Sequence, residues 1–258
     1  GHFDPAAGDY SNAVVSASLP DLNLLDYYLP LNWDFLRRTD LDLGSASPVY
    51  FGWKDRHLLA TGTKESVVSL LDAGSLGGAD HQTTLYTSPK LSPAPGACCD
   101  GRGLWGGIAT ARDLEGKTWL YIPLGGPPTA SAPAFPITNG DTQHGSIMAF
   151  QVVADPQNQN PALAPAWISG GFDIPDPPVV ANGVVFALST GENAVQHGGE
   201  EKRLLNTHPA VLRALDAATG KELFNSKDAI ASWVHFSGLA VANGQVYVVD
   251  HDSNLYAF

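Results

Sequence analysis

Basic residues are scarce in this sequence. Its 258 residues hold 14 Lys and Arg against 26 Asp and Glu, a formal net charge of −12 with a pI of about 4.8. Such a field repels phosphate backbones and anionic lipid, and no local basic cluster offsets it, which argues against nucleic acid as a partner. Long apolar runs are absent as well. None approaches the ~20 residues that span a bilayer, so no transmembrane segment is expected. No basic stretch followed by an apolar one opens the chain, and any secretory leader is expected to have been removed.

Cysteine is nearly missing. The two present, Cys98 and Cys99, are adjacent, which leaves no Cys-x-x-Cys metal or redox pair and no Cys-x-x-Cys-His haem attachment. The eight histidines are scattered without a His-Glu-x-x-His, and there is no Gly-x-Ser-x-Gly elbow and no phosphate loop. The familiar hydrolase, zinc and nucleotide signatures are thereby set aside.

Turn formers are what the chain has in abundance, with 27 Gly and 19 Pro in a sequence that is 44% hydrophobic. That balance suits many short strands around a full core rather than helices. The clearest unit is Ala214-Leu-Asp-Ala-Ala-Thr-Gly-Lys-Glu-Leu-Phe224: an apolar strand runs into Asp216, turns at Thr219-Gly220 and leaves through Leu223 and Phe224. Related strands end at Ala17, Leu71, Phe150 and Phe258. Asp72 and Gln151 stand where Asp216 does. Two Asn-Gly turns, Asn182-Gly183 and Asn243-Gly244, sit between alternating apolar residues and predict type I′ hairpins over 178–188 and 237–258. A helical turn is expected within 32–45, where Trp33, Leu36 and Arg37 share one side. Residues 79–103, 124–144 and 191–208 read as loop insertions.

Several multi-stranded units of roughly 40 to 50 residues point to an all-β propeller, whose blades bury their faces only against neighbours. The Asn-Gly hairpin, the closing Leu-Tyr-Ala-Phe258 and the stretch from Ala214 to Phe224 together resemble the pyrroloquinoline quinone repeat of quinoprotein-like β-propellers. The resemblance is strongest over 178–258, fair over 48–78 and 145–168, and weak before residue 30. It implies four-stranded antiparallel blades, about four to five of them in one domain over 1–258, as an incomplete set of a larger ring. The remaining blades, or another chain, are then expected to cover the exposed blade faces. It also implies that an aromatic closing each repeat docks on the next, with Trp167 in that role and Phe224, Tyr27 or Tyr28 as substitutes.

Cys98 and Cys99 are the candidate cofactor-binding residues. Adjacent thiols bond only through a strained ring, which an oxidising compartment permits. Quinoprotein alcohol dehydrogenases resembling this chain set such a disulfide against their quinone, and Asp100 and Arg102-Gly103 resemble the segment after it. Two free thiols or a purely structural ring is the other reading. No residue matches the family's calcium ligands or its catalytic aspartate, so the catalytic residues are unassigned and no metal ligand is named.

Asp250-His-Asp-Ser-Asn254 has alternating acidic spacing but lacks the glycine and distant glutamate of a calcium loop, and reads as a hairpin turn. Asp40 and Asp42 read as turn carboxylates. His197 lies in a long loop of the kind that gathers at the ligand-binding end of a propeller, against the plainer reading of a surface imidazole. Glu200 and Glu201 are chain neighbours and propose no acid–base pair. The six Trp residues read as core or docking groups.

Two functions follow from the resemblance. One is part of a periplasmic or extracellular dehydrogenase that oxidises alcohols or sugars with pyrroloquinoline quinone and calcium. The other is a non-enzymatic propeller scaffold for protein–protein interaction, like an outer-membrane assembly factor.

Overall fold

A computed structural model describes residues 3–95, 100–193, 204–235 and 237–258. The chain is all-β apart from short helical turns. A small hairpin of β1 (Phe3–Asp4) and β2 (Asp9–Tyr10) precedes the two-stranded sheet of β3 (Val14–Ala17) and β4 (Leu24–Tyr28). After the helical turn α1 (Trp33–Arg38) comes the sheet β5 (Val49–Trp53), β6 (Arg56–Gly62), β7 (Val68–Asp72) and β8 (Tyr86–Thr87), paired in that order. The six-stranded sheet that follows contains β9 (Gly103–Leu104), β10 (Ala109–Arg112), β11 (Thr118–Gly125), β12 (Ile137–Asn139), β13 (Gly145–Ala154) and β14 (Pro161–Ser169). Next lie β15 (Val179–Ala181), β16 (Val184–Ser189), β17 (Val211–Asp216) and β18 (Glu222–Asn225), and finally β19 (Leu239–Ala242), β20 (Gln245–Val249) and β21 (Leu255–Ala257).

Strand alternation gives each sheet two apolar faces, and the cores form between consecutive sheets. In β7, Leu71 faces Val14 and Tyr28 of the preceding sheet, while Val68 and Leu70 face Leu120, Ile122 and Met148 of the following one. Trp119, Tyr121 and Ile147 then meet Val185 and Leu215, and Leu188 and Leu212 meet Val246 and Val248. Each fully buried aliphatic or aromatic side chain contributes about 1.5–3 kcal/mol.

Aromatics fix one sheet to the next as the repeat resemblance implied. The Trp167 indole N–H donates to the Ala217 carbonyl at 2.9 Å, and the Tyr121 hydroxyl donates to the same oxygen at 3.1 Å. Gly220, at φ +70°, lies against the Trp167 ring, where a Cβ would overlap it. Trp53 donates to the Val152 carbonyl at 3.0 Å. Tyr28 is buried, and Phe224 meets Phe258 with ring centroids 6.0 Å apart.

Both Asn-Gly hairpins form with equivalent register, Ala181 opposite Val184 and Ala242 opposite Gln245, and all four turn residues have positive φ. Asp216 closes its turn, its Oδ1 accepting from the Thr219 N–H at 2.8 Å, the Thr219 hydroxyl at 2.7 Å and the Ala218 N–H at 3.1 Å.

Two expected insertions hold strands. Residues 79–103 include β8, the fourth strand of its sheet, and 124–144 include β12, which runs parallel to β14. Edge strands of two or three residues are too short to show a period of two. Of the third insertion, 194–203 lies outside the described residues. Among the described residues no sheet closes on itself, and β3–β4 and β19–β21 are not paired with each other.

Candidate functional site at the loop-bearing end

Connections from second to third strand and from one sheet to the next emerge at a common end. Backbone hydrogen bonds tie them together: Leu91 N to Ser66 O at 3.0 Å, Thr190 N to Asp173 O at 3.0 Å, Val234 N to Thr190 O at 3.0 Å, and His251 N to Trp233 O at 2.8 Å. Here a cleft of about 360 Å³ is lined by Asp100, Arg102, His144, Asp173, Glu192 and His208, among others.

Asp173 follows β14 and is held by its own backbone, its N–H donating to Ser189 Oγ at 2.8 Å and its carbonyl accepting from Thr190 Oγ1 at 3.1 Å. Its carboxylate lies 3.3 Å from His208 Nε2 and 4.0 Å from His144 Nδ1. Across the cleft the Arg102 guanidinium is paired with the Asp100 carboxylate through both Nε and a terminal nitrogen, which raises the Arg102 pKa.

Two acids lie deeper. The Glu192 side chain is 5% exposed and its Oε2 is 2.5 Å from His235 Nδ1. Asp176, 3% exposed, accepts from the Gly238 N–H at 3.2 Å. Burial pushes the Asp176 pKa up to about 6; the Gly238 hydrogen bond opposes the rise and the Glu192 charge adds to it. Buried carboxylates of this kind recur at sites that bind or move protons.

Cys98 and Cys99 lie outside the described residues, as do His197, Glu200 and Glu201. Asp100, immediately after the cysteine pair, does reach the cleft. Asp250 is a turn cap, accepting from the Asp252 N–H at 3.0 Å and the Asn254 N–H at 2.9 Å. Asp40 and Asp42 flank the Lys64 ammonium at 3.2 and 3.7 Å, so they are ion-pair partners as well as turn residues. Trp53, Trp119, Trp167 and Trp233 are buried.

Sequence reasoning missed Asp173, Asp176, Glu192, His208 and His235. The one local signal was an acid inside a proline run, Ile174-Pro-Asp-Pro-Pro178, where the backbone cannot supply the usual N–H partners. Asp176, Glu192 and the Asn193 amide are hard oxygen donors of the type calcium takes. As placed they do not form its cage: Glu192 is engaged by His235, Asp176 by Gly238, and among the described residues no three His, Cys, Asp or Glu groups converge to hold a metal ion.

No protein-family model matches the sequence, and no curated protein sequence matches it. Among solved structures the chain is similar to a europium-containing methanol dehydrogenase, with TM-score 0.50 and 14% identity over 96% of this chain and 44% of that one. It is also similar to BamB from Moraxella catarrhalis (TM-score 0.45, 12% identity, 95% and 57% covered). A third is the quinohemoprotein alcohol dehydrogenase from Comamonas testosteroni (0.45, 13%, 92% and 38%). The fold is therefore that of a quinoprotein-like β-propeller. The chain spans less than two thirds of the length of each of these proteins.

Proposed function

We propose that this chain forms part of a periplasmic or extracellular quinone-dependent dehydrogenase acting on alcohols or sugars, with the cleft at its loop-bearing end as the ligand site. The observation that carries this reading is the burial of Glu192 in the wall of that cleft, with Asp176 buried within reach of its charge, because acids are costly to bury where they serve packing alone. Pyrroloquinoline quinone would supply the oxidising chemistry, and the loop carrying Cys98 and Cys99 would border it. Asp176, with its pKa near neutral, is suited to holding or releasing a proton. Asp173, set between two imidazoles at the rim, is suited to orienting a substrate hydroxyl.

Titration of the purified chain with pyrroloquinoline quinone, with and without Ca²⁺, followed by quinone absorbance, tests the proposal. Saturable binding that weakens in Glu192→Gln supports it. No saturable change overturns it and leaves the scaffold reading. That second reading has its own support in the exposed Leu24, Leu25, Val249 and Leu255 of the first and last stacked sheets, which the remaining blades or another chain would cover.

A further inference from the structure

Between the sheet β3–β4 and the sheet β5–β8 lies a second cavity, of about 230 Å³, also at the loop-bearing end but lined by none of the residues of the cleft described above. Its wall departs from the packing of the next sheet. On the face of β6 and β7 that meets β3–β4, Leu59 stands opposite Leu71, and one step nearer the loops Thr61 stands opposite Ser69. In the next sheet the corresponding positions are Ile122 opposite Met148, both fully buried in a core. Two short hydroxyl side chains thus stand where the next sheet has a packed Ile–Met pair, and they border a polar space.

The groups facing this space are incompletely satisfied. Thr61 and Thr63 are 1% and 7% exposed, and neither hydroxyl has a hydrogen-bond partner. An unpartnered buried hydroxyl is destabilising, so two of them side by side point to a partner that comes from outside the chain. Beside them Glu65, 5% exposed, accepts from Asn32 Nδ2 at 2.9 Å and Lys90 Nζ at 2.7 Å, and Tyr28 and Ser69 line the same space.

From this geometry we infer a binding site for a small neutral polyol, of monosaccharide size or below. Threonine hydroxyls both donate and accept, which matches the same double role in a ligand hydroxyl. Glu65 repels an anion, and its charge is already met by Lys90, so a cation gains little. The volume is below the roughly 300 Å³ at which pockets for larger organic ligands begin. The inference is independent of the quinone reading.

The test uses the full chain with no quinone and no Ca²⁺, and D-glucose, myo-inositol and glycerol as probes. Isothermal titration and ligand-observed saturation-transfer NMR separate a site from the general osmolyte effect of polyols, which does not saturate. At least one probe is expected to bind saturably. Thr61→Val is expected to weaken that binding by about tenfold while raising the melting temperature of the free protein, because it removes an unpartnered hydroxyl. Thr63→Val is the second variant should the first fail to fold. Absence of saturable binding by all three probes, or unchanged binding in a folded variant, overturns the inference and leaves the cavity to water.

Discussion

Asp176 stands between Pro175 and Pro177 and is nearly inaccessible to water, and its consequences for stability can be worked out with sign. Its pKa rises from 3.8 to about 6 on folding, chiefly through burial. Between those values the native state keeps a proton that the unfolded chain has lost, so this group's contribution to stability falls as pH rises through the window. Below about pH 4 both states are protonated and the penalty vanishes; above about pH 6 it is complete. Urea unfolding across pH 4 to 7 is expected to show Asp176→Asn gaining on the parent through that window, by on the order of 3 kcal/mol above it. A parallel pair of profiles would contradict the assignment. Asp216 acts in the opposite sense, as a stabilising cap. Asp216→Ala, which strands the Ala218 and Thr219 donors, is expected to lower stability by about 1–2 kcal/mol in thermal or urea unfolding. These two acids also mark what the sequence discloses. The cap of Asp216 is three residues away and could be read from the turn; the partners of Asp173 and Glu192 are 35 and 43 residues away, and only the stacking of sheets brings them together.

Among the elements, the hairpins were legible because turn chemistry and alternation agree over the same residues, as at Asn182-Gly183 and Asn243-Gly244. The edge strands β8 and β12 were not, since their position is set by the neighbouring strand rather than by their own pattern. Nor did the sequence alone announce β14, whose Pro161 and Pro165 speak against a strand; Pro165 is accommodated beside the register shift at Ala149 and Phe150. The turn that carries Asp216 also has a docking role, because Gly220 lies on the Trp167 ring. Gly220→Ala is expected to destabilise by several times the ordinary ~1 kcal/mol glycine-to-alanine difference, since it adds both a strained positive φ and a clash with the ring. Tryptophan fluorescence should report the displaced Trp167, and an unshifted spectrum with parent stability would rule out the docking.

At the scale of the whole molecule, the first stacked sheet is partly covered by an aromatic group of Phe3, Tyr10, Tyr27 and Trp33, whose ring centroids lie 5.3 to 6.0 Å apart. Leu25 beside it, and Leu255 on the last sheet, are 66% and 68% exposed. Association through these surfaces is expected to appear in sedimentation velocity as a concentration-dependent species, and the double variant Leu25→Glu with Leu255→Glu is expected to abolish it. Stability should change by no more than about 0.5 kcal/mol per site, as for other exposed positions. An unchanged distribution would place the contacts elsewhere.

The order of the cores carries a further consequence, for how the chain comes apart. Each core belongs to two consecutive sheets, so a central sheet is gripped from both sides and a terminal one from a single side. Cooperativity in such a stack passes only between nearest neighbours, as beads on a string share tension. Fraying should therefore start at β3–β4 and β19–β21 and advance inward, leaving β11 and β13 as the last structure standing. Native-state amide exchange would display this as a gradient of protection along the stack, steepest at the two ends. Uniform protection would mean that the sheets melt as one.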